Sequence, residues 1–401
     1  MHPHIATLCD ISSKPQRTIV GLMSGTSMDG LDVALCKITG AGPDTHIEVT
    51  HFETCSYPDE YQQYVREIFA KRDIDLQHLT LLNAWIGKLH GELVNQCLAK
   101  WQVPVSAVDA IASHGQTVYH CPQKQHGLAE FPNATLQIGD GCHVAVTTGV
   151  MTLSDFRQKH IAAGGEGAPL AAYGDYLYFA DKTEHRVLLN IGGIANITVL
   201  PKGASMQQAM CADLGPGNTM IDAYIQQHFA PLQYDKDSEK AKQGTVNSPL
   251  LSSLMAHSFL SLGMPKTTGP EVFNLAYLQT CIDSSGVARL SHEDILATLT
   301  EFSASCIAKQ LNALANDFGE IGVYVSGGGL HNPLLIERIR ALSAKGITLS
   351  SLSELGIDPD AKEAVLFALL ANETLAGNAA DKVDNSGSMP AVTMGKFSFP
   401  D

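Results

Sequence analysis

The chain has 401 residues, 45% of them hydrophobic, which is enough for a substantial core divided between two domains. A formal charge of -15 argues against nucleic acid as a partner, because neutralising phosphates takes clustered lysine and arginine. Nine scattered cysteines without a Cys-x-x-Cys pair, no basic-then-apolar leader and no bilayer-spanning apolar run point to a cytoplasmic protein with free thiols and no membrane partner.

Taken in chain order, the pattern predicts strands over about 18–23, 31–38 and 46–53, with short connections that suit an antiparallel meander. Helices follow over 59–70 and 76–100, the second with an apolar face of Leu79, Leu82, Ile86, Leu89 and Leu93. A short buried strand, 110–113, delivers His114 to its end. A helix through Val146 and another strand lead to Asp155-Phe156-Arg157, and the glycine-rich 162–169 reads as a closing loop.

From Val187 the meander begins again, with strands over 186–190 and 195–200, a turn at Gly192-Gly193, and a third strand ending near Ala212. Helices are expected over 218–227, 250–262, 271–281 and 291–314, and a buried strand, 321–325, runs into Ser326-Gly327-Gly328-Gly329. Asn332-Pro333 opens another helix. A last helix over 359–375, a polar linker over 377–390 and a terminal strand around 391–394 complete the chain. The echo of one meander by another predicts two related α/β halves: 1–183, completed by 377–401, and 184–376. Two halves imply a cleft that closes on its ligands.

Chemistry concentrates in turns. Gly25-Thr26-Ser27-Met28-Asp29-Gly30 lies in a hairpin turn whose backbone N–H groups can wrap an anion, but it lacks the glycine spacing and lysine of a Walker loop. Asp213 stands at a strand end before Gly215-Pro216-Gly217-Asn218, displayed as a general base or, more plainly, as a turn carboxylate. Gly327, Gly328 and Gly329 permit close approach to a flat or anionic ligand such as a nucleotide, though glycine triplets also make ordinary tight loops. Such loops suit phosphoryl transfer, with Asp29 as a metal ligand and Asp222 a weaker candidate. His114, Arg157, Lys159 and His160 are the titratable front-half candidates, and Arg157 suits a bidentate grip on a substrate carboxylate. No zinc spacing and no Gly-x-Ser-x-Gly elbow occur. Lys236 and Lys266 read equally well as solvated charges in polar turns.

These landmarks resemble the anhydro-N-acetylmuramic acid kinase family from Ile19 to Pro400. They are Gly21 to Gly30, Ser113 to Thr117, Gln137 to Asp140, Asp155 to Arg157, Ala162 to Leu170, Leu189 to Asn196, Asp213 to Asn218, Lys266 to Gly269 and Ser326 to Gly329. The resemblance implies a hexokinase/actin-like (ribonuclease H-like) duplicated two-domain α/β fold with a central cleft, and a homodimer. It also implies a kinase that uses ATP and Mg²⁺ to open 1,6-anhydro-N-acetylmuramic acid with water and phosphorylate O6, in cell-wall recycling. On this resemblance Asp213 is the catalytic base, the turn 25–30 with Gly192, Gly193 and Gly327 to Gly329 binds ATP, and His114, Arg157 and Glu363 bind the sugar, although Glu363 reads equally well as a plain helix-surface glutamate. Two positions depart from the family pattern, where aspartate stands at His160 and arginine at Pro270. Two other readings stay open: a catalytically weak sugar- or nucleotide-binding regulator, and a kinase for a different amino sugar or hexose.

Overall fold

The computed structural model describes residues 1–401 except 169, 288, 357, 359, 378–391 and 401. The strands are β1 Gln16–Ser24, β2 Gly30–Thr39, β3 His46–Ser56, β4 Ala110–Cys121, β5 Ala134–Ile138, β6 Thr152–Ser154, β7 Arg186–Ile191, β8 Ile194–Leu200, β9 Met210–Pro216, β10 Ile321–Ser326, β11 Ile347–Ser351 and β12 Lys396–Ser398. The helices are α1 Pro3–Ser13, α2 Asp59–Arg66, α3 Leu76–Lys100, α4 Gln123–His126, α5 Gly141–Thr148, α6 Phe156–Ala162, α7 Ala171–Phe179, α8 Thr219–His228, α9 Ser248–Met255, α10 Leu275–Ser285, α11 His292–Phe318, α12 Pro333–Leu342 and α13 Lys362–Ala376. Among the described residues no helix is long and apolar enough to cross a membrane.

Two units emerge, 1–178 with 360–401, and 179–359. The first holds a sheet in the order β12-β6-β4-β1-β2-β3, with β5 beside β4, and the second a sheet in the order β11-β10-β7-β8-β9. In each, three antiparallel strands form a meander whose first strand pairs in parallel with a later one, β4 on β1 and β10 on β7. The next strand extends that parallel side, β6 on β4 and β11 on β10. This shared order bears out the two related α/β halves read from the repeated meander, and it is the duplicated ribonuclease H-like topology that the family resemblance implies.

β1 is buried on both faces because helices cover both sides of its sheet, as interior strands with parallel neighbours require. Val20 and Leu22 join Leu82, Ile86 and Val94 of α3 in one core. On the other face a β-carbon at Gly21 would stand 2.0 Å from the Ala364 carbonyl oxygen, so α13 lies backbone-close to β1. In the second unit Val187, Leu189 and Ile191 of β7 pack with Ile307, Leu311 and Leu314 of α11. The longest helices are capped as their sequences suggest: Asp75 accepts from Gln77 and His78 N–H groups, and Ser291 accepts from Asp294 N–H.

Several expected boundaries shift. The expected second half included 360–376, but α13 packs along β1 and clusters with the first unit, while the first boundary falls at 178. β4 continues past Ser113 to Cys121, bulging at Gly115, whose φ of +73° only glycine adopts easily, and then pairing with β5. The 250–262 helix ends at Met255, after which His257 caps a separate 3-10 turn, Ser258–Ser261. Asn274 accepts from Tyr277 N–H and so starts α10 at Leu275 rather than 271. The linker expected over 377–390 lies almost wholly outside the described residues, and the terminal strand is β12 on β6, not 391–394. Helices α1, α4, α6 and α7 and strands β5 and β11 form where none was expected.

Candidate active site

In the first unit, residues 25–30 form the turn between β1 and β2. Met28 N–H reaches the Gly25 carbonyl at 3.4 Å, and Ser27 Oγ donates to Asp29 Oδ1 at 2.7 Å. Met28 turns left-handed, φ 60°, and sends its side chain into the core, so only its backbone faces the turn. Thr26, Ser27 and Asp29 are exposed, and a β-carbon at Gly30 would meet the Cys55 carbonyl oxygen at 2.8 Å.

A polar network that sequence reasoning missed holds this turn from below. Ser24 Oγ donates to Gln116 Oε1 at 2.7 Å, Tyr61 OH donates to the same oxygen at 2.9 Å, and Tyr57 OH donates to Ser24 Oγ at 2.7 Å. Gln116 Nε2 donates to the Gly25 carbonyl at 3.3 Å, and buried His90 stands 3.0 Å from the Tyr57 oxygen. Burial pushes His90 down to about 3, so it stays neutral. Ser24 and Gln116 carried a signal, as parts of the Gly21 to Gly30 and Ser113 to Thr117 landmarks, whereas Tyr57, Tyr61 and His90 carried none.

His114, on β4, and Arg157, on α6, come together. Arg157 Nε and Nη2 lie 3.2 and 3.0 Å from His114 Nε2, and Arg157 Nη1 donates to the Gly167 carbonyl at 2.7 Å. Burial and the guanidinium charge lower His114 to about 3, and burial lowers Arg157 to about 10 while Glu363 partly restores it. The side-on edge expected to grip a substrate carboxylate is thus occupied by His114. Three of the five N–H groups are committed, and two remain.

His160 is part of the same assembly. Its Nδ1 accepts from Gly167 N–H at 2.9 Å, and Gly165 lets the loop close, since a β-carbon there would stand 2.2 Å from the imidazole. A neutral imidazole supplies this acceptor, a role a carboxylate could also fill. Burial, followed by Arg157, keeps its affinity for a proton low. Glu363 sits in the first turn of α13, its carboxyl raised first by burial and then by Asp32, with Lys362 and Arg157 opposing.

In the second unit, Asp213 lies in the middle of β9, not at its end: the strand expected to stop near Ala212 runs on to Pro216 because it keeps pairing with β8, with Asp213 opposite Asn196 beside a bulge. Its N–H donates to the Lys266 carbonyl at 2.9 Å, and its Oδ2 accepts from Thr268 N–H at 2.8 Å. Burial raises its proton affinity and the Thr268 bond lowers it, with the net shift upward. The Lys266 to Gly269 loop, for which a polar surface turn was an equal reading, is therefore the loop that holds Asp213. Lys266 is buried, with Nζ 3.1 Å from the Phe259 carbonyl and 4.4 Å from that ring's centroid, whereas Lys236 is exposed. Asp222 on α8 is raised by burial to about 6.

The second unit's glycine loops converge. Gly217 N–H bonds the Gly193 carbonyl at 2.8 Å and Asn218 N–H the Gly192 carbonyl at 2.9 Å, beside the N-terminus of α8. A β-carbon at Gly327 would meet Asn190 Oδ1 at 2.5 Å, and one at Gly329 would meet Ile191 Cγ2 at 2.3 Å. Gly192, Gly193, Gly327 and Gly329 thus stand around one strand end, where backbone amides can approach phosphates closely. Among the described residues no three His, Cys, Asp or Glu groups are placed to hold a metal. Magnesium in phosphoryl-transfer sites is commonly held by one or two carboxylates, water and substrate phosphates, which the exposed Asp29 carboxylate fits.

A chain of two units that share the ribonuclease H-like strand order, with an exposed hairpin turn in the first and converging glycine loops beside a bulged strand in the second, has the fold of the hexokinase/actin-like class. Within that class the chain matches the model of the anhydro-N-acetylmuramic acid kinase family over residues 17–400, and it belongs to that family. It is 58% identical over 401 residues, covering 100% of both chains, to the anhydro-N-acetylmuramic acid kinase of Pseudoalteromonas atlantica. Identity is 54% to the protein of the same name from Pseudoalteromonas translucida, again over 100% of both chains. To that of Caldanaerobacter subterraneus it is 36% over 98% of this chain and 99% of the relative.

Proposed function

We propose that the protein is an ATP-dependent kinase that opens 1,6-anhydro-N-acetylmuramic acid with water and phosphorylates O6, giving N-acetylmuramic acid 6-phosphate and ADP in cell-wall recycling. The observation that carries this reading is Asp213, a partly desolvated carboxylate beside the bulge in β9, held by Thr268 N–H and raised in proton affinity. Such a group takes a proton from water as the water oxygen bonds the anomeric carbon. The bond from that carbon to O6 breaks, and the oxygen's electron pair accepts the γ-phosphoryl group as ADP leaves.

Sugar recognition falls to Arg157, His114 and Glu363. The two uncommitted guanidinium N–H groups donate to substrate oxygens, and Glu363 accepts from a hydroxyl. His114 orients the guanidinium and holds its proton on Nδ1, because Nε2 accepts from Arg157. ATP phosphates take the amides of residues 25–30, of Gly192 and Gly193 and of Gly327 to Gly329, which is electrostatic stabilisation by preorganised donors. Mg²⁺, held by Asp29, would offset phosphate charge when bound. Free thiols at all nine cysteines suit a cytoplasmic setting, and the family resemblance supports a homodimer.

The test is incubation with Mg-ATP and the anhydrosugar in ¹⁸O-labelled water, followed by mass spectrometry of the product. One solvent oxygen in N-acetylmuramic acid 6-phosphate is the expected result. Phosphorylation of an ordinary amino sugar in preference to the anhydrosugar, or ligand binding without turnover, overturns it.

A further inference from the structure

Cys55 near the end of β3 and Cys97 on α3 stand with their sulfurs 3.1 Å apart, close enough for one thiol to hydrogen-bond the other, and both are free. They differ in environment. Cys97 is 2% exposed, whereas Cys55 is half-buried. The charged groups around them are Glu53 on β3, Asp32 on β2 and Lys100 on α3, and Lys100 ion-pairs with Glu53 at 2.8 Å. The contact with Cys97 lowers Cys55's affinity for its proton, while the contact with Cys55 and burial raise that of Cys97. Cys55, the more exposed of the two sulfurs, is the one a small oxidant reaches first, with Cys97 buried directly behind it.

We infer that Cys55 and Cys97 form an oxidation site, a dithiol that a hydroperoxide converts reversibly into a disulfide joining β3 to α3. The Cys55 thiolate attacks the peroxide oxygen, the O–O bond breaks, and the departing oxygen takes a proton to leave as water or an alcohol. Cys55 is then a sulfenic acid. The Cys97 sulfur attacks the Cys55 sulfur, and the hydroxyl leaves with the Cys97 proton as water. The two electrons given up by the thiols reduce the peroxide. Closing the sulfurs to a bond of about 2.05 Å takes a movement of roughly 1 Å.

The position gives the cross-link a consequence. Cys55 pairs with Leu31 and Ser56 with Gly30, so the disulfide ties α3 to the strand that borders the 25–30 turn. It spares His114, Arg157, Glu363 and Asp213, and it closes a loop in the unfolded chain, so the oxidised protein is the more heat-stable form. This site stands independently of the kinase reading.

The experiment treats the reduced full-length protein with stepwise hydrogen peroxide and maps tryptic peptides without reduction. The expected first product links residues 38–66 to 89–100, lighter by two hydrogens, reversed by dithiothreitol and accompanied by a raised Tm. Cys55→Ser abolishes the link. Cys97→Ser leaves a Cys55 sulfenic acid that dimedone traps, and if that variant fails to fold, wild type and Cys55→Ser decide alone. Oxidation of the exposed Cys9 or Cys142 while both peptides stay separate and reduced overturns the inference, as does sulfinic acid at Cys55 in the wild type without the link.

Discussion

Arg157 directs two guanidinium nitrogens at one nitrogen of His114, Nε at 3.2 Å and Nη2 at 3.0 Å, and this converts a cation into a fixed, partly spent donor. The imidazole must be neutral to accept, and its burial beside the guanidinium ensures that it is. A third N–H goes to the Gly167 carbonyl, so the side chain is clamped on both sides.

That clamp makes Arg157→Lys non-conservative. An ammonium can satisfy either His114 or Gly167 at its own position but lacks the planar fork that reaches both. Loss of about 2–3 kcal/mol of charge-assisted hydrogen bonding lowers kcat/KM by roughly 30- to 150-fold. Steady-state kinetics with the anhydrosugar check it, and a change within twofold would remove Arg157 from the site.

His160 acts on the same group at one remove, through Gly167. His160→Ala leaves the Gly167 N–H without its acceptor and frees the loop, so KM for the sugar rises about tenfold, equivalent to about 1.4 kcal/mol, with less effect on kcat. His160→Asp, which restores an acceptor, recovers most of the loss. Equal defects in both variants would mean that the ring's packing matters, not its hydrogen bond.

Stability falls with acid. Burial depresses His90, His114, His120, His160, His185 and His228 below the ordinary histidine value of 6.5. On unfolding they take up protons, so their contribution is complete above about 6.5 and shrinks as pH falls toward the folded values, about 3 for His90 and His114. Asp32, Asp213, Asp222 and Glu363 are raised and oppose this by releasing protons on unfolding. Six histidines outnumber these four carboxylates, so Tm measured by calorimetry is expected to drop between pH 6.5 and 4, and a flat profile would contradict the buried-neutral assignment.

Gly21→Ala tests the seating of α13. The added β-carbon would stand 2.0 Å from the Ala364 carbonyl oxygen, a backbone atom, so the helix must move. Such overpacking costs about 1–3 kcal/mol. Because Glu363 is the neighbouring residue, KM for the sugar should worsen together with the loss of Tm. Unchanged stability would mean that α13 packs elsewhere.

Asp213→Asn keeps the acceptor for Thr268 N–H but removes the base. ATP binding by calorimetry should persist while turnover falls by about 10²–10⁴, the range for loss of a general base. In the wild type the acid limb of kcat/KM should lie above the ordinary aspartate value of 3.8, because burial is the larger influence on this carboxyl. Near-normal turnover in the variant would end the assignment.

The paired meanders, the long helices α3 and α11 and the hairpin turn at 25–30 were all legible in the sequence, because strand alternation, helical periodicity and glycine turns are local physics. Tertiary contact decided the rest. That Lys266 is buried and its loop holds Asp213, that His160 supports Gly167 and through it Arg157, and that Ser24, Gln116, Tyr57 and Tyr61 brace the turn depend on residues distant in the chain meeting with hydrogen-bonding geometry. No local pattern encodes such meetings. The same holds for α13, whose apolar residues alone permit burial in either unit, and which sits in the first because Gly21 leaves room for its backbone there.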